Sequence, residues 1–124
     1  MKNIIFIAML FLIANAHAVT YECAAKFQNH MGIEVKDDDF VKKHKPFTRI
    51  VDEQTIQRCS ISYMQKSLSC DTYNVDKVES DKNIKKFYVF NSQYDIQIFA
   101  DLSFIDNNGR GGMLFGKCNK TISP

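Results

Sequence analysis

The chain has 124 residues, with 16 Lys and Arg against 14 Asp and Glu and a formal charge of +2. So balanced a charge excludes the basic composition that a polyanion partner such as nucleic acid calls for, and the length suits one domain with a single modest core. No repeat, linker or low-complexity tract marks a second domain.

Met1 and Lys2 form a short positive start, Ile4 to Ile13 is unbroken apolar sequence, and Ala14-Asn15-Ala16-His17-Ala18 ends in small residues. That is the pattern of a secretory signal peptide over residues 1–18, with the mature domain over 19–124. The apolar run is about half the roughly 20 residues that span a bilayer, so no membrane span is expected. Cys23 follows Thr20-Tyr21-Glu22, which is not the setting of a lipid-bearing cysteine. The expected address is secreted or periplasmic and unlipidated, and the expected state is a monomer.

Tyr21 to Phe27 alternates, with Tyr21, Cys23, Ala25 and Phe27 on one face, and predicts a first strand. Gln28 to Gly32 reads as a turn and Ile33 to Val35 as a short strand. The acidic trio Asp37-Asp38-Asp39 before Phe40 and Val41 caps a short helix, which Pro46 stops near Lys45. Phe47 to Val51 is extended, and Asp52-Glu53-Gln54 turns into a hairpin of Ile56 to Tyr63 with Leu68 to Val75 around Met64-Gln65. The alternation beyond Cys70 carries this second strand to about Val78, before a polar loop from Glu79 to Asn83.

Phe87-Tyr88-Val89-Phe90 predicts a strand covered on both faces. Tyr94, Ile96, Ile98, Ala100, Leu102 and Phe104 recur with period two and predict one strand from Tyr94 to Phe104 with an apolar face. Asp106 to Gly112 reads as a loop, and Met113 to Cys118 as the returning strand. Six to eight short strands with little helical periodicity predict a small antiparallel β-barrel or β-sandwich with one short helix.

All four cysteines fall in the exported part, where an oxidising compartment lets pairs form. The hairpin register that sets Cys59 opposite Cys70 also sets Ile61 opposite Leu68, and one slipped residue would turn both pairs to wrong faces. Cys59 is therefore paired with Cys70, and Cys23 with Cys118 by elimination. No C-x-x-C supports a redox site, and the spacing has no zinc partner.

Among places for chemistry, Asn107-Asn108-Gly109-Arg110-Gly111-Gly112 is the most distinctive, because glycine amides and a guanidinium suit a carboxylate or phosphate. The alternative is a flexible hairpin loop with a solvated arginine. Lys42-Lys43-His44-Lys45 is a cationic cluster suited to an anionic envelope surface, or simply a solvated face. The candidate binding residues are thus Arg110, Asn107 and Asn108, then Lys42, Lys43 and Lys45. The acidic trio lacks the pattern of a calcium loop, and no catalytic motif, metal site or cofactor is expected. Asn119-Lys120-Thr121 matches a glycosylation acceptor.

Tyr21-Glu22-Cys23, Phe87-Tyr88-Val89-Phe90 and the closing Cys118 resemble the small periplasmic barrels that inhibit c-type lysozymes. The resemblance implies a similar size, export and terminal cysteine tie. That family's serine-alanine-serine-glycine loop has no counterpart in Val78 to Lys86, so no inhibitory residue transfers.

The function these features favour is an exported, non-enzymatic binding module for a protein or envelope polymer, acting through loops of a rigid scaffold. A carrier with an apolar barrel cavity, suggested by ten Phe and five Tyr, a periplasmic protein of the lysozyme-inhibitor kind, as the resemblance implies, and a carboxylate-dependent hydrolase are the alternatives.

Overall fold

The computed structural model describes residues 18–34, 39–62 and 64–123, and all of the expected signal peptide but Ala18, with Val35, Asp37, Asp38 and Tyr63, lies outside them. The described residues form ten strands and one helix in the order β1 (Ala18–His30), β2 (Ile33–Glu34), α1 (Asp39–His44), β3 (Phe47–Val51), β4 (Thr55–Ile61), β5 (Leu68–Asn74), β6 (Lys77–Ser80), β7 (Ile84–Val89), β8 (Tyr94–Phe99), β9 (Ser103–Asn107) and β10 (Gly112–Ser123). They form one antiparallel sheet, β5-β4-β3-β1-β10-β9-β8-β7-β6, with β2 paired to β1 beside that path. The sheet curls into a half-barrel. Only two residues separate β5 from β6, although these strands lie at opposite ends of the sheet. Val75 N–H donates to Gln54 O and Asp76 N–H to Tyr88 O, both at 2.8 Å, so the two edges meet there. The expected strand through Val78 is thus one chain path that changes partner midway.

Both cystines join directly opposed residues, Cys23 with Cys118 across β1 and β10, and Cys59 with Cys70 across β4 and β5. The β4–β5 register also opposes Ile61 and Leu68, as the apolar pattern requires. The curled sheet closes around Phe87, Ile50, Ile56 and Ile96, none of them exposed, with Phe104 at 2%. Tyr21 meets the Phe87 ring edge-on at 6.1 Å.

Four sequence expectations are corrected. The strand read from Tyr94 to Phe104 is a hairpin, β8 and β9, turned at Ala100–Leu102. Asp101 makes the turn by accepting hydrogen bonds at Oδ1 from the Ser103 backbone N–H (2.9 Å) and from its hydroxyl (2.5 Å), and Leu102 takes a φ of 68°. The single-strand pattern arises because the register pairs Ile98 with Phe104, so even positions face inward on both strands. β1 runs on to His30 and turns at Met31 and Gly32, with φ of 54° and 83°. Within it a bulge at Lys26 turns Phe27 to the outer face, where it stacks on Phe115 at 5.0 Å. The bulge also presses the Ala24 carbonyl toward Gly116, where a Cβ would lie 2.1 Å from that oxygen, so only glycine fits. Lastly, Phe87 and Val89 are buried, but Phe90 is 58% exposed and Tyr88 stacks on it outside, so β7 is covered on one face.

The Ser103 hydrogen bonds, with Lys117 adding, hold the Asp101 carboxyl down at about 2. A depressed carboxyl stabilises the fold above its unfolded value near 4 and loses that contribution as pH falls toward about 2. A carbon-detected NMR titration is expected to find the Asp101 midpoint well below those of exposed acids, and Ser103→Ala to raise it. An ordinary midpoint in the wild type would show that the turn is not held this way.

Candidate functional site

Antiparallel neighbours bring the end of β1, the start of β3, the end of β4, the start of β8 and the β9–β10 loop to one end of the half-barrel, with α1 packed on β1 and β4. α1 ends where Lys45 takes a φ of 44° before the buried Pro46, and the His44 ring is tied at Nδ1 to Ile61 O at 2.7 Å.

Asp106 is at the centre of this end. It is 1% exposed, on the inner face of β9 between Ile96 of β8 and Leu114 of β10. Its Oδ2 accepts hydrogen bonds from the Thr48 hydroxyl at 2.9 Å and the Tyr94 hydroxyl at 2.8 Å, while Arg58 Nη2 donates to Oδ1 at 3.1 Å. The Arg58 guanidinium lies over the Tyr94 ring, 4.5 Å from its centroid, and Tyr73 packs against that ring at 5.6 Å. Four strands therefore converge on one carboxylate.

The electrostatics follow from burial. Desolvation pushes the Asp106 carboxyl up, against Arg58 and the two hydroxyls, which pull it back. Burial works against the charge of Arg58, yet Asp106, helped by Tyr94 and Tyr73, holds the guanidinium above its ordinary value. Burial and then Asp106 push the Tyr94 hydroxyl well above the usual tyrosine range. Both carboxylate oxygens are occupied, which makes the cluster a brace for the strand ends. Two clefts of about 160 Å³ flank it: one is lined by Phe40, Arg58, Cys59 and Asp71, the other by His30, Phe40, Arg58, Asp106 and Asn108.

The residues expected from sequence are placed around this brace. Asn108 lines the second cleft, and its Oδ1 accepts from the backbone N–H groups of Arg110 at 2.7 Å and Gly112 at 3.1 Å. Asn107 Oδ1 accepts from Gly109 N–H at 3.0 Å. These asparagines take up three of the amides that the glycine-rich sequence offers. Arg110 is exposed at the loop tip, and the loop is fixed by Met31 N–H donating to Gly111 O at 2.7 Å. Lys42 and Lys43 are exposed on α1. Lys45 faces a separate cleft of about 280 Å³ on the outer side of the sheet, with Glu22, Phe47 and Arg49. The structure thus gathers the asparagine loop and the helix at one end of the fold and turns Lys45 aside. Asn119 is exposed within β10.

The brace itself was not among the candidates, and Asp106, read as a loop residue, is a correction. The signal was present: the even-position period carries from Phe104 to Asp106 and places it inside. Arg58, Thr48 and Tyr94 carry no local motif, because their partner is distant in sequence.

Among the described residues no group of three or more His, Cys, Asp and Glu is arranged to hold a metal, and no helix is long and apolar enough to cross a membrane. Comparison with protein-family models, with curated proteins and with solved structures found no match.

Proposed function

We propose that this chain is an exported, non-enzymatic module that binds a protein or envelope polymer at the end of the half-barrel carrying α1 and the Asn107–Gly112 loop. The observation that carries this reading is a contrast. The interior is filled by fully buried Phe87, Phe104, Ile50, Ile56 and Ile96, whereas the helix-and-loop end offers exposed Lys42 and Arg110 beside clefts under Phe40. A filled interior favours surface recognition over a cavity carrier. Among the described residues the one fully buried carboxylate, that of Asp106, has both oxygens engaged, which favours binding over carboxylate hydrolysis. Export is supported by the two cystines, which persist in oxidising compartments.

Cationic side chains on a rigid end select an anionic partner surface and make capture sensitive to salt. The test is to immobilise the oxidised domain, capture partners from the envelope of its own host, and identify them by mass spectrometry. The Lys42→Ala/Arg110→Ala variant is expected to retain the specific partner about tenfold less, as a loss near 1.4 kcal/mol would give. Equal retention by wild type and variant would remove this end from consideration.

A further inference from the structure

Two strands end the sheet, and each leaves one side of its backbone without a strand neighbour among the described residues. On β6 that edge is short and carries Lys77 and Glu79, features that discourage pairing with another chain. β5 is longer and less protected. Its sequence LSCDTYN holds no lysine and no proline, its register runs without a bulge, and every residue but Tyr73 is exposed.

Two hydrogen bonds fix the phase of this edge. Ser62 N–H donates to Ser67 O, and Val75 N–H to Gln54 O, both at 2.8 Å, at opposite ends of the β4–β5 ladder. Opposed residues of an antiparallel pair exchange hydrogen bonds at alternate positions. The register then gives the exchanging pairs as Ser60 with Ser69, Arg58 with Asp71, and Ile56 with Tyr73. Leu68, Cys70 and Thr72 therefore turn N–H and C=O away from β4, toward open solvent. The Cys59–Cys70 cystine holds the middle of the strand to its inner neighbour, so the row is presented on a fixed template.

We propose that the outer edge of β5 is a docking strand for an extended segment of a partner protein, with a cationic side chain opposite Asp71. A row of spaced backbone donors and acceptors recognises extended polypeptide. Asp71 is the one charged residue of the strand and is exposed, so it sets the preference at the middle of the row. A second copy fits less well. Two-fold pairing over the whole strand centres on Asp71, with Leu68 opposite Asn74 and Cys70 opposite Thr72, and sets two carboxylates directly against each other. Asp71 also lines one of the clefts under Phe40, but the outward row at Leu68, Cys70 and Thr72 does not, and the proposal stands without the helix-and-loop reading.

The experiment follows amide hydrogen exchange by NMR in the oxidised protein, with short capped peptides of alternating threonine and valine and either lysine or glutamate at the centre. The lysine peptide is expected to slow exchange at Leu68, Cys70 and Thr72 by about tenfold or more, and to leave Ser69, Asp71 and Tyr73, already bonded to β4, nearly unchanged. It is expected to bind about fivefold tighter than the glutamate peptide, from one favourable and one unfavourable cross-strand charge pair. Thr72→Pro removes one outward donor and no ladder bond. It is expected to abolish the protection at an unchanged melting temperature. Absence of protection in the wild type with either peptide overturns the proposal. So does protection of the same three amides that grows with protein concentration when no peptide is present, since that gives the edge to a second copy. Should Thr72→Pro fail to fold, the wild-type exchange pattern decides alone.

Discussion

Replacing Cys23 and Cys118 together with alanine is expected to lower the unfolding free energy by about 4 kcal/mol. The two residues are 95 apart in sequence, so their bond closes most of the domain into one loop. In the chain-entropy account a loop of that size restricts the unfolded state most, since closure entropy grows with loop length. The cystine also joins β1 and β10, the longest paired strands, at the middle of the sheet, and Cys23 has no exposed surface. Against a total of about 5–15 kcal/mol for a domain of this size, the loss takes a large share of the margin. Urea unfolding of the purified variant measures it. Cys59→Ala/Cys70→Ala, which opens a loop with a separation of only 11, is expected to cost less. A loss below about 1 kcal/mol for the first variant would contradict this assignment of stability to the long loop.

Asp106→Ala is expected to cost about 3–5 kcal/mol, the range for removing one partner of a buried ion pair. The change leaves the Thr48 and Tyr94 hydroxyls without their acceptor and the part-buried Arg58 without its counter-charge. It also unties β3, β4, β8 and β9 at the end where α1 docks. Asp106→Asn keeps the shape and one acceptor, and is expected to cost about 1–3 kcal/mol. The pH dependence gives a second signature. Burial raises the folded-state value of Asp106 above its unfolded one, so its contribution is fully present at low pH and is lost as pH rises through the raised value. Wild type minus Asp106→Asn stability should therefore fall with rising pH across that window. A difference that rises instead would mean that Arg58 and the hydroxyls outweigh burial.

Much of the fold was legible because two of its rules are local. The alternation in 94–104 and the joint fit of Cys59 with Cys70 and Ile61 with Leu68 depend on the period of a strand, and both reappear in the observed register. The hairpin inside 94–104 was hidden by that same rule, since an even-to-even register preserves the pattern across a turn. The bulge at Lys26 and the change of partner at Val75 and Asp76 depend on which strands become neighbours, and no residue there announces it. The brace was hidden for the same reason. Asp106 is 58 residues from Thr48 and 48 from Arg58. A carboxylate in an asparagine- and glycine-rich run resembles a turn until its inward phase is counted.

The central claim, recognition at the helix-and-loop end, is tested most directly by placing a photo-activatable cross-linker at single positions and probing the native envelope. Positions 42 and 110 sample that end, while 81 and 120 sample the opposite end, where Asp81 and Lys120 line a common cleft. The account predicts covalent adducts to one partner species from 42 and 110 and none from 81 and 120. Adducts confined to 81 and 120 would contradict it.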